Sequence, residues 1–149
     1  MKVDVVSNIV IQRPRGMVAN YAANPDNAPR WYVNIKRVEW KTPPPLRIGS
    51  RIAFVARFLG RTLSYTYEVI EYIPEEYFVM RTAEGPFPME TTYSWDDASG
   101  RATKMTLRNR GTPGGFSGLF APMIALAMRR ANRKDLARLR RVLEHGHTP

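Results

Sequence analysis

The chain has 149 residues, 44% of them hydrophobic, which suffices for one domain with a full core and no metal or disulfide support. It has no cysteine, which excludes a disulfide framework, thiolate metal sites and a cysteine nucleophile. Lys plus Arg number 23 against 13 Asp plus Glu, and the formal net charge of +10 favours encounter with anionic partners without bearing on the fold.

Met1 to Ser7 carries Asp4 and Ser7 where an export signal needs an unbroken apolar run. The longest apolar stretch, Leu119 to Met128, falls short of the ~20 residues of a membrane span. A cytoplasmic protein is expected.

Val3 to Ile11 alternates and is β-branched, so it reads as a strand with Val5, Ile9 and Ile11 on one face. Pro14 ends it. Met17, Val18, Tyr21 and Ala22 then recur at helical spacing, and Asn24-Pro25-Asp26 closes that short helix and opens a second one reaching about Trp31.

Six further strands follow, at 33–41, 49–58, 61–73, 77–82, 87–95 and 101–110, each bounded by Gly, Pro or Asp. Pro43-Pro44-Pro45 ends the first of these, because successive prolines cannot donate to a ladder. Hairpin-length links make the sheet an antiparallel meander, and such a sheet twists and curls.

The last element is a helix from about Gly115 to Glu144. Its apolar stripe is read as Leu119, Met123, Ile124, Ala127, Met128, Ala131, Leu136, Leu139, Val142 and Leu143. Its other side is basic, with Arg129, Arg130, Arg133, Lys134, Arg138, Arg140 and Arg141 opposed only by Asp135 and Glu144.

The element order resembles the START-like superfamily (Bet v 1-like, SRPBCC, polyketide cyclase/dehydrase). The likeness is carried by Ile11-Gln12-Arg13-Pro14 before the first helix, Asn24 to Trp31, Gly49-Ser50-Arg51-Ile52, and Asp135-Leu136-Ala137-Arg138-Leu139. It covers residues 1–149 as a single domain. It implies an α+β helix-grip fold: a curved seven-stranded antiparallel sheet, two short helices after strand 1, and a long C-terminal helix over the concave face. The superfamily includes lipid carriers, hormone receptors and aromatase/cyclases with no shared catalytic set, so function has to be argued from individual residues.

The expected ligand-facing wall is Phe54, Phe58, Tyr65, Tyr67, Phe78, Met80, Phe87, Met89, Thr91, Tyr93, Trp95, Met105, Leu107 and Asn109, roofed by Leu119, Met123 and Ala127. Aromatic and Met-rich linings suit a flat or greasy ligand, and they equally fill a solid core. Catalytic candidates are Tyr65, Tyr67 and Tyr93, with Glu90 and Arg81 depending on a one-residue register choice. His145 and His147 lie in the C-terminal tail without a third ligand, so neither a metal nor a cofactor is expected.

Gly111 to Gly115 lacks the Gly-Lys-Ser/Thr ending of a phosphate loop and reads as a hinge for the helix. Trp31, Trp40 and Pro43 to Pro45 are candidates for the rim of the entrance.

Binding of a small hydrophobic ligand, aromatic or lipid-like, is the first reading. A polyketide aromatase/cyclase or dehydrase is the second, and a basic interaction module with a closed core the third. Nucleic acid is disfavoured because no aromatics interleave the arginines. An acidic protein or an anionic membrane is the expected partner of Arg130, Arg133, Arg138 and Arg141, and the protein is expected to be a monomer or weak dimer.

Overall fold

A computed structural model describes residues 3–58, 60–84, 88–112 and 121–146, less the side chains of Phe58 and Ala121. The order is β1 (Val3–Ile11), α1 (Arg15–Ala23), a 3₁₀ turn (Pro25–Asn27), α2 (Ala28–Trp31), β2 (Ile35–Trp40), β3 (Arg51–Phe58), β4 (Arg61–Ile73), β5 (Tyr77–Glu84), β6 (Met89–Ala98), β7 (Ala102–Gly111) and α3 (Ala121–His145). The seven strands form one antiparallel sheet in the order β1-β7-β6-β5-β4-β3-β2. β1 thus joins the end of the meander, and the short helices carry the chain from one sheet edge to the other. This is the helix-grip fold that the resemblance implied.

Burial alternates along β1 and β6, so each strand gives one face to the core and one to solvent. Register sorts the inward residues into rows across the sheet. One row runs Ser7, Leu107, Tyr93, Phe78, Tyr72. The next runs Val5, Asn109, Thr91, Met80, Val69. An irregularity in β4 between Val69 and Glu71 shifts the pairing by one residue, which brings Tyr72 back to the same face as Val69.

α3 covers this face with a stripe that differs from the expected one. Ile124, Ala125 and Met128 pack on Val3 and Val5. Leu136, Leu139 and Leu143 join the main core with Ile11, Val18, Trp31 and Met105. Met123, at 69% exposure, and Ala127 face away from this stripe, so neither roofs the sheet.

The C-terminal end of α3 is tied down. The Gln12 N–H donates to Glu144 Oε2 at 2.7 Å, and Arg13 donates to the Glu144 carbonyl. Gly146, at φ +65°, closes the helix by donating its N–H to Val142 O at 2.9 Å, a left-handed cap that glycine adopts without Cβ strain.

The convex face carries a register row of alternating charge: Arg51, Glu68, Arg81, Glu90, Arg110, Asp4 across β3, β4, β5, β6, β7 and β1. Arg51 Nη2 lies 2.9 Å from Glu68, Arg81 Nη2 lies 3.4 Å from Glu90, and Arg110 also pairs with Glu90. Opposite charges directly across a ladder favour the correct register, since a one-residue slip would break every pair.

Candidate functional site

The inward face has a packed end and a looser end. Ile11, Trp95, Phe78, Met105 and Leu107 are at most 2% exposed, sealed beneath the C-terminal half of α3 and the short helices. Phe78, Trp95, Met105 and Leu107, expected as cavity wall, therefore belong to the core. On β3 and β4 the inward residues Ala56, Leu63, Tyr65 and Tyr67 are only half-buried. Phe54 sits at this boundary, edge-on to Tyr67 at 5.7 Å, and Tyr65 lies 6.3 Å beyond. Met89 is buried against Gly111, where a Cβ would stand 2.4 Å from the Met89 sulfur, so glycine is the residue this approach admits.

Between the two ends runs a chain of polar groups. Thr91 Oγ1 donates to Asn109 Oδ1 at 2.7 Å, and Asn109 Nδ2 donates to Asn132 Oδ1 on α3 at 3.2 Å. The Tyr67 hydroxyl lies beside Thr91. The two bonds point one way, from Thr91 through Asn109 to Asn132. They end on Asn132 Nδ2, a buried donor with no partner.

Trp31 Nε1, Trp95 Nε1, Ser7 Oγ and Tyr21 Oη are likewise buried without a partner, the two tryptophans within the packed end. An unpaired buried donor is costly, and an acceptor brought against Asn132 Nδ2 by a ligand would satisfy it.

A second polar cluster lies nearer the short helices. Tyr32, just after α2, hydrogen-bonds Tyr93 hydroxyl to hydroxyl. Asp135 on α3 accepts the Val33 N–H at 2.9 Å. Burial, opposed by that bond and by Arg138, raises the Asp135 carboxyl to about 6. Burial raises Tyr67 to about 12, and it pushes Tyr93 and Tyr32 up as well. A phenol that holds its proton so firmly serves as a hydrogen-bond donor and is a poor acid at neutral pH.

Asp135, Tyr32 and Asn132 were not among the expected site residues. Asp135 was read as part of the basic face and Asn132 was passed over; both are buried, at 4% and 5% exposure. The helical period held the signal, because Asn132, Asp135 and Leu139 share a stripe with Met128 and Val142. Glu90 and Arg81 are corrected the other way. They pair with each other on the convex face, one register step from the inward Thr91 and Met80, and do not reach the interior.

Trp31 is fully buried core and forms no rim, whereas Trp40 is half-buried and donates its Nε1–H to Asp26 Oδ1 at 2.8 Å. Phe87, Leu119, His147 and the side chain of Phe58 lie outside the described residues, as do Pro113 to Gly115 of the expected hinge. Among the described residues no group of His, Cys, Asp and Glu has the spacing of a metal site, and no helix is long and apolar enough to cross a membrane.

On the outer side, Arg15, Glu76, Tyr77, Ser94, Trp95, Asp96 and Asp97 line an open cleft of about 450 Å³. Its Arg15–Asp97 pair, 3.2 Å apart, already matches charge with charge. The interior is the better candidate site, because its polar groups end unsatisfied and its acid is perturbed.

Fold and interior together define a helix-grip protein with a polar thread through a hydrophobic core. The sequence matches the family described as "Polyketide cyclase / dehydrase and lipid transport" over residues 2–144, and the chain belongs to that family. Among solved structures, the protein TTHA0849 from Thermus thermophilus superposes with a TM-score of 0.82 at 20% identity, covering 97% of this chain and 99% of that one. The Zhui aromatase/cyclase from Streptomyces sp. R1128 gives 0.78 at 14% identity, with 96% of each chain covered. Ginseng major latex-like protein 151 from Panax ginseng gives 0.69 at 13% identity over 99% of each. At such identities the likeness is one of fold. No curated protein matches the sequence.

Proposed function

We propose that the protein binds a small hydrophobic molecule bearing a hydrogen-bond acceptor, a carbonyl or ether oxygen on an aromatic or lipid-like frame, between the sheet and α3. The observation that carries this reading is the one-way chain from Thr91 through Asn109 to Asn132, which leaves an unpaired Nδ2–H in a largely apolar interior. A solid core would be better served by leucine at these positions, since a polar network left half-satisfied destabilises. The half-buried Leu63 and Tyr65 offer apolar contact at the looser end. Family membership accords with this reading, its description spanning lipid transport and polyketide chemistry.

Native mass spectrometry of the purified protein, followed by organic extraction, tests it. A stoichiometric compound with an apolar frame and an acceptor oxygen is the expected result. An empty protein that also ignores apolar fluorescent probes would overturn the reading and leave a closed core.

A second reading, cyclisation or dehydration of a polyketide-like substrate, is favoured by Asp135. A buried carboxyl near 6, beside the Tyr32–Tyr93 pair, is suited to proton transfer at neutral pH. The expected signature is an Asp135→Asn variant that binds substrate normally and turns it over at least about a hundredfold more slowly. Equal turnover by variant and parent removes the carboxyl from the chemistry.

A further inference from the structure

The outward side of α3 carries a row of cations. Arg130, Arg133, Lys134 and Arg141 are all exposed and, at 100° per residue, fall in one stripe opposite the buried positions. They span roughly 16 Å at 1.5 Å rise per residue. The two carboxylates of the helix turn elsewhere: Asp135 is buried, and the Glu144 carboxylate accepts the Gln12 N–H. Arg138, expected to share this face, is half-buried and lies close to Asp135.

The same stripe continues toward the N-terminal end as Met123, 69% exposed, and Leu126, 47% exposed. Both are large apolar side chains standing in water next to a row of cations.

We propose that this face is a docking surface for an anionic lipid bilayer, on which α3 lies parallel to the plane of the headgroups. A bilayer interface supplies both things the stripe lacks. It offers a dense, flat array of phosphates and carboxylates for the four cations, and an acyl boundary a few ångströms deeper for the two apolar side chains. Arginine and lysine stems reach between these levels, their carbon chains on the apolar side and their charges at the headgroups. The surface of an acidic protein would match the cations and leave Met123 and Leu126 without a counterpart. The charge row is straight, which suits a fluid layer of anions better than one fixed epitope.

The docking face is on the far side of the helix from the candidate site, so the proposal stands whatever the interior holds. Its energetics are those of reversible attachment: each cation near an anionic surface strengthens binding about fivefold. Four cations and two partly inserted side chains then hold the protein at a membrane without anchoring it there.

Co-sedimentation with phosphatidylcholine vesicles, with or without about 30 mol% phosphatidylserine, tests this on the full chain. The wild type is expected to bind the anionic vesicles, ignore the neutral ones, and release as salt is raised. Combined Arg130→Glu, Arg133→Glu and Arg141→Glu should cut binding by more than about a hundredfold. Met123→Ser with Leu126→Ser should cut it roughly tenfold while leaving the salt dependence in place. All five positions are exposed, and an unchanged melting temperature verifies that the variants fold.

Equal binding to neutral and anionic vesicles, or charge-reversed binding within threefold of wild type, overturns the proposal. So does a wild type that leaves vesicles alone but binds an acidic carrier protein, which would assign the face to a protein partner. Uptake of an apolar probe, measured alongside, reports on the interior separately.

Discussion

Asp135 Oδ1 on α3 accepts the backbone N–H of Val33, 102 positions earlier in the chain, at 2.9 Å. One buried carboxylate therefore pins the middle of the long helix to the segment that leads from α2 into β2. Burial raises its pKa from 3.8 to about 6, so folding disfavours the charged form. Between those two values the unfolded chain releases a proton that the folded chain keeps, and stability falls as pH rises. The difference amounts to up to about 3 kcal/mol at neutral pH. Asp135→Asn keeps an oxygen for Val33 and removes the charge. It should raise the melting temperature at pH 7.5 and change it little at pH 4, as read by calorimetry at both pH values. A variant less stable than the parent at pH 7.5 would show that the carboxylate has stronger partners than Val33.

The convex face predicts the opposite slope. Glu90 is held below its usual pKa by Arg110 and Arg81, so its contribution is present above the unfolded value and is lost as pH falls. Glu90→Gln should cost about 1 kcal/mol at pH 7 and close to nothing near pH 3, and added salt should shrink the difference at neutral pH. A loss that persists undiminished at pH 3 would mean that packing, and not charge, sets the effect.

Tyr32 and Tyr93 each satisfy the other inside an aromatic cluster in which Tyr93 lies 5.8 Å from Trp31 and 5.5 Å from Phe78. Removing one hydroxyl orphans the other. Tyr93→Phe alone is expected to destabilise by about 1–3 kcal/mol, and Tyr32→Phe by a similar amount. The double variant should be less destabilised than the two single losses summed, a coupling that urea denaturation of the full cycle measures. Strict additivity would mean that the two hydroxyls are not partners.

Asn132 should discriminate between ligands by their oxygen. For two ligands that differ only in carbonyl against methylene, the wild type is expected to prefer the carbonyl by about tenfold. Asn132→Leu should erase that preference by weakening the carbonyl ligand alone, whereas loss of both affinities together would point to a misfolded interior. Isothermal titration gives both constants.

Much of the architecture was legible because each strand boundary carries its own chemistry. Pro43 to Pro45 and Asp96 to Gly100 mark turns whatever the sheet does around them, and the alternation of Val3, Val5 and Ile9 survives intact. The candidate site was read less well. The inward placement of Tyr67, Thr91, Tyr93 and Asn109 was legible because their strands alternate plainly. Glu90 and Arg81 stayed ambiguous because a strand signal cannot say which face is inner when both neighbours of a residue are polar or bulky.

On α3 the error had a different origin. Met123 and Ala127 look like continuations of an apolar stripe, and Asp135 looks like part of a charged face. The stripe is set by what lies opposite each turn: Val3 and Val5 on the sheet select Ile124 and Met128, while Val33, ahead of β2, and Asn109 present polar groups that hold Asp135 and Asn132. The helical period placed Asn132 and Asp135 on the buried stripe, but residue type argued against it, since the polar partners that make their burial tolerable come from distant parts of the chain.

The row Arg51, Glu68, Arg81, Glu90, Arg110, Asp4 sums to zero, so that strip of the convex face adds nothing to the net charge of +10. α3 alone carries seven arginines and lysines against two carboxylates. The helix therefore holds half of the net charge in about a sixth of the chain, and a charge set to one side feels a torque as well as a pull. If α3 is the docking face proposed above, an anionic surface within about a Debye length would turn the molecule before contact, shortening the search over orientations that slows most encounters.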